Sequence, residues 1–85
     1  MRQTMFTDEK RGILEIVERY ARTGSVKNDQ VKVTILPNDK TSFVERNDGD
    51  GRTVLLDEYH VDGKTIWAGY STRSGTVYLS TVTHR

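Results

Sequence analysis

The sequence predicts an α+β fold, with one N-terminal helix packed on a bent, antiparallel, five-stranded β-meander that approaches a small barrel. Three observations predict it. Apolar residues recur at helical spacing up to Gly24. From Val31 onward they recur at every second position. Turn signals at Pro37-Asn38-Asp39, Asn47 to Gly51, Asp62-Gly63 and Arg73-Ser74-Gly75 cut that second stretch into strand-sized pieces. Eighty-five residues make a single domain over residues 1–85. It divides into a helix over 8–23, a linker over 24–30 and an antiparallel sheet over 31–83.

The helix has a start, a stripe and a stop. Thr7 is a good N-cap, and Asp8 and Glu9 place anions where the helix dipole favours them. Ile13, Leu14, Ile16, Val17, Tyr20 and Ala21 form one apolar stripe. Glu15–Arg19 and Glu18–Arg22 are acid-to-base pairs four apart. Gly24 can close the helix in the left-handed conformation. Such a charged outer face is ordinarily just solvated.

The strands follow. Val31, Val33 and Ile35 alternate with Lys32 and Thr34. Thr41 to Arg46 is a second strand, with Phe43 and Val44 on opposite faces. Asn47 to Gly51 reads as a flexible loop. Thr53 to Val61, Lys64 to Thr72 and Thr76 to Thr83 complete the five. Asp62-Gly63 is a strong two-residue hairpin signal, pairing Val61 with Lys64, Tyr59 with Ile66, Asp57 with Ala68 and Leu55 with Tyr70. A three-residue turn ending at Gly75 would pair Tyr70 with Tyr78 and Ile66 with Val82.

These registers sort the side chains. One face carries Leu55, Tyr59, Val61, Ile66, Ala68, Tyr70, Tyr78 and Val82, and is expected under the helix. The other carries Val54, Leu56, Glu58, His60, Trp67, Val77 and Leu79. A two-residue turn at Ser74-Gly75 would instead set Leu79 with Tyr70 and Tyr78 with Trp67. Either way both faces hold apolar groups, and one helix covers only one of them. Sheet curvature, a second copy of the chain or a partner must cover the other.

Composition narrows the function classes. Thirteen basic residues balance twelve acidic ones, so the overall field points to neither nucleic acid nor membrane. The middle is acidic, with Glu45, Asp48, Asp50, Asp57, Glu58 and Asp62. The end, from Lys64 to Arg85, has no acid. There is no cysteine, which excludes disulfides and thiolate metal sites and fits a reducing, cytoplasmic setting. No leader-like or membrane-spanning apolar run is present.

No catalytic pattern stands out. Asp48 and Asp50 before Gly51 resemble a calcium loop, but the first ligand position would fall on Arg46 and the flanks are strands. Glu58, His60 and Asp62 alternate along one strand face, where a histidine between two carboxylates can hold a metal or move a proton. Exposed strand ends carry the same residues, and His84 lies far along the chain. Ser71, Ser74 and Ser80 have no nucleophile elbow and no base in view. No glycine-rich phosphate loop enters a helix.

The expected protein is therefore a small non-enzymatic regulator or inhibitor with no cofactor. It would dock a sheet face onto a partner protein through Trp67, Leu56, Glu58, His60 and Arg73, with a homodimer as a further assembly. The second reading is a single-stranded nucleic-acid binder that uses Trp67, Arg73, Lys64 and Tyr78 of the acid-free hairpin.

Overall fold

The computed structural model describes residues 9–82. The expected cap at Thr7 and Asp8, and strand residue Thr83, lie outside them. Helix α1 spans Glu9–Thr23, and six strands follow: β1 (Lys32–Ile35), β2 (Ser42–Asn47), β3 (Asp50–Leu55), β4 (Asp57–Val61), β5 (Lys64–Ser71) and β6 (Thr76–Thr81). This is a small α+β fold with one helix and mostly strands among the described residues.

The helix buries Ile13, Ile16, Val17 and Ala21, with Tyr20 partly covered. Leu14 falls at the edge of the stripe and stays exposed. Gly24, at φ 77°, closes the helix by donating its N–H to the Tyr20 carbonyl at 2.9 Å. The Lys64 ammonium reaches the Ala21 carbonyl at 2.5 Å, a cation at the negative end of the helix dipole. Arg22 meets Glu18 at 3.8 Å as the spacing predicts, whereas Arg19 donates to the Lys27 carbonyl.

The sheet differs from the expected five-stranded meander, and it does not close into a barrel. Four strands form one sheet in the order β1-β6-β5-β4, and β2 and β3 form a separate two-stranded sheet. Strand β1 runs parallel to β6, so the sheet is mixed rather than wholly antiparallel. Period-two patterning shows that a segment is a strand but not which strand it joins. The turn after β1 decides that. Asp39, at φ 67°, donates its N–H to the Thr81 carbonyl, and Ser80 bridges the Pro37 carbonyl and the Lys40 N–H. These bonds fasten the segment beside the last strand.

The second departure is a break in the expected third strand, Thr53 to Val61. It divides at Leu56 into β3 and β4. Leu56 turns inward and is buried, and the β2–β3 hairpin folds back over the second face of the four-stranded sheet. The crossing fits because residue 69 is glycine. A Cβ there would lie 2.5 Å from the Leu55 carbonyl oxygen and 2.6 Å from Leu56 Cδ2.

The Asp62-Gly63 register is as expected, with Val61 opposite Lys64, Tyr59 opposite Ile66 and Asp57 opposite Ala68. Asp62 at φ 52° and Gly63 at φ 75° supply the two positive dihedrals of a type I′ turn. Leu55, beyond the break, does not pair with Tyr70. The loop read as flexible, Asn47 to Gly51, is a second tight turn, in which Asp48 and Gly49 both have positive φ and Asn47 pairs with Asp50.

The β5–β6 turn is one residue longer than expected. Ser71 pairs with Thr76, Tyr70 with Val77 and Ile66 with Thr81. One residue of shift reverses every side chain of β6. Val77 and Leu79 therefore lie under the helix, and Tyr78 lies on the opposite face. The first core contains Ile13, Ile16, Val17, Ala21, Val61, Ile66, Ala68, Val77 and Leu79. The second lies beneath the hairpin and contains Leu36, Val54, Leu56 and Tyr78, with Phe43 and Trp67 packed against it.

Candidate functional site

Trp67 sits near the middle of β5, with Glu58 of β4 opposite on one side and Ser80 of β6 on the other. Period-two geometry puts Glu58, His60 and Trp67 on the second sheet face. The hairpin covers part of that face. Trp67 packs against the second core and is partly buried. Glu58 and His60 lie beyond the cover, with side chains 53 % and 68 % exposed. The His60 Nε2 is 3.8 Å from Glu58 Oε1, and its Nδ1 is 3.2 Å from the Thr65 hydroxyl. Leu55, at the crossing from β3 to β4, is 73 % exposed.

The expected docking residues are thus divided. Trp67, Glu58 and His60 share one strip. Leu56 lies buried within the second core, against which Trp67 packs. Arg73 lies in the turn between β5 and β6, beyond the far end of β5 from His60, and its Nη2 is 3.5 Å from Asp50 Oδ2.

No family model, curated protein or solved structure matches the chain. Its site must be read from its own geometry.

The expected nucleic-acid residues do not share a surface. Lys64 lies on the helix side and is bound to the Ala21 carbonyl. Tyr78 is buried, and its hydroxyl donates to Glu45. Arg73 stands among Asp50 and Glu45. Glu58, His60 and Asp62 are not gathered into a metal site either. The Arg22 guanidinium holds Asp62 at 3.0 Å. Among the described residues no group of three or more histidines and acids is placed to hold a metal ion.

One polar cluster was not anticipated from the sequence. Glu45 of β2 points under the hairpin and accepts three hydroxyl hydrogen bonds. Ser71 reaches Oε1 at 2.6 Å, while Ser74 and Tyr78 reach Oε2 at 2.7 and 2.6 Å. Hydrogen bonds from Ser71, Tyr78 and Ser74 hold its pKa at about 2 against desolvation, with a smaller contribution from the Arg73 charge. The Tyr78 hydroxyl is pushed up, first by burial and then by Glu45. Its ring stacks at a tilt on Phe43, with centroids 4.6 Å apart.

These bonds, the Arg73–Asp50 pair and the second core bind the hairpin to the sheet. The cluster's members are remote in sequence. Phe43 and Glu45 are two apart on β2, so both point inward, and that parity is the one sequence signal that could have found it. A carboxylate already engaged by three donors and held ionised is a poor general base at neutral pH and a good structural clamp.

Proposed function

We propose that the protein is a small, non-enzymatic, cytoplasmic regulator or inhibitor that binds a partner protein and acts by occlusion. The observation that carries this reading is the half-covered second sheet face. The hairpin leaves Glu58 and His60 of β4 exposed, so Trp67 lies between a packed core and that exposed row. An indole fixed along one side by its own core offers large contact area with little rotamer entropy to lose. Leu55 adds an exposed apolar group at the crossing, and Glu58 gives the strip an acidic group that suits a basic partner surface. Leu56 serves by positioning Trp67, and Arg73 by holding the hairpin.

The test is capture from nuclease-treated lysate of the native host, comparing the immobilised wild type with the variant Leu55→Ser, Glu58→Lys. Both positions are exposed, so the variant should keep the wild-type thermal midpoint. The expected result is one protein partner retained by the wild type and lost by the variant. Retention of that partner by the variant would overturn the proposal. So would tight, steeply salt-dependent binding of single-stranded nucleic acid in place of a protein.

A further inference from the structure

We infer that β4, the free edge of the four-stranded sheet, pairs antiparallel with β4 of a second copy about a two-fold axis at Tyr59. The inference stands apart from the choice of partner protein, because it rests on backbone geometry and charge along one strand. The Val82 N–H donates to the Thr65 carbonyl, so Thr65 turns its backbone groups toward β6. Alternation along β5 then turns those of Lys64, Ile66 and Ala68 toward β4. Their partners Val61, Tyr59 and Asp57 answer inward. Glu58 and His60 are left with N–H and C=O groups directed away from the sheet, and β4 is its terminal strand among the described residues.

An antiparallel partner must place outward-facing residues opposite outward-facing residues. On a two-fold axis only a few centres satisfy this, and charge separates them. A centre at Glu58 sets that carboxylate against its own copy. A centre at His60 sets Glu58 against Asp62. A centre at Tyr59 sets Glu58 of each copy against His60 of the other, twice, in hydrogen-bonded pairs, with the Tyr59 residues meeting across the axis.

The strand is thus self-complementary in one register and self-repelling in its neighbours, which is how a protein keeps an edge from pairing at random. The resulting eight-stranded sheet is of ordinary size. It would bring the two Trp67 strips onto one continuous face.

The first test is sedimentation equilibrium on the purified full chain, without partner, from low to high micromolar concentration. The wild type should be a dimer at the upper end. His60→Glu puts like charges opposite each other twice and should weaken the dimer about tenfold or more. The charge-reversed double variant, Glu58→Lys with His60→Glu, should restore it. The same double variant should lose the docking partner, because its strip carries reversed charge. Dimerisation and docking are thereby read separately.

The second test fixes the register. The chain has no cysteine, so Tyr59→Cys introduces a single thiol. A non-hydrogen-bonded pair on the axis lies within disulfide reach. Mild oxidation should cross-link Tyr59→Cys into a dimer while Ile35→Cys, on exposed β1, stays monomeric. A wild type that remains monomeric throughout, a dimer indifferent to His60→Glu, or equal cross-linking at both positions would overturn the inference.

Discussion

Replacing Gly69 with alanine tests the crossing that lays the hairpin over the sheet. The added methyl would sit 2.5 Å from the Leu55 carbonyl oxygen, 2.6 Å from Leu56 Cδ2 and 3.3 Å from the Leu55 carbonyl carbon. The leucine tip can rotate away. The carbonyl oxygen belongs to the backbone, and reaching an ordinary carbon–oxygen contact requires a displacement of about 0.8 Å. That displacement lifts Leu56 out of the second core. Overpacking of this kind costs about 3 kcal/mol, at the upper end of its usual range because backbone must move. The lower chain entropy of alanine in the unfolded state returns about 0.5–1 kcal/mol. The net loss of about 2 kcal/mol is a large share of the stability of a domain this small. Followed by circular dichroism, it should lower the thermal midpoint by roughly 10–15 °C. Gly51→Ala is the control, because its methyl would meet only Val44 and Arg46 side chains at 3.6 and 3.7 Å. It should leave the midpoint unchanged or slightly raised. A Gly69→Ala midpoint equal to that of the wild type would refute the close crossing.

Three further outcomes follow from the same geometry. Gly63→Val should cost about 1 kcal/mol or more, because valine is strained at φ 75°. An unaltered urea midpoint would place the turn elsewhere. Glu45 has a folded pKa of about 2 against an ordinary 4.5, so its contribution is complete above pH 4.5 and is lost as pH falls toward 2. Linkage of that shift alone would give about 3 kcal/mol. Solvent screening of the partly exposed carboxylate reduces it, so urea titrations should show roughly 2 kcal/mol vanishing across that window in the wild type. Glu45→Gln, lacking the titrating group, should be less stable at neutral pH and flatter below it. Equal pH slopes would remove Glu45 from the clamp. Trp67→Ala should cost about 2–3 kcal/mol, less than full enclosure of an indole would imply, and leave the chain folded at room temperature. An unfolded Trp67→Ala chain would make the indole wholly a core residue.

Local signals were legible and long-range ones were not. The helix stripe, the Gly24 stop and the Asp62-Gly63 turn each depend on residues within a few positions, and each appears where the sequence puts it. Pairing of Asp57, Tyr59 and Val61 with β5 followed directly from that turn. The β5–β6 turn is one residue longer than the three-residue form, and that single step carries Tyr78 from the helix side to the second core, the face that a two-residue turn would also give it. The Leu56 break had no signal of its own, since a continuous run from Thr53 to Val61 alternates as well as two shorter strands do. Its cause lies at Gly69, thirteen positions onward.

The candidate site followed the same rule. Trp67, Glu58 and His60 were placed together because two neighbouring strands and one turn fix them. Arg73 was separated from them by the sheet's length, and the Glu45 clamp was hidden because it joins β2 to the β5–β6 region across the fold.

The most direct test of the docking claim uses the chain's single tryptophan. Protein grown with 5-fluorotryptophan should give one fluorine resonance, from Trp67. Addition of the captured partner protein should shift and broaden that resonance, and titration with the Leu55→Ser, Glu58→Lys variant should leave it in place. A complex that forms while the Trp67 resonance stays unchanged would contradict docking through this face.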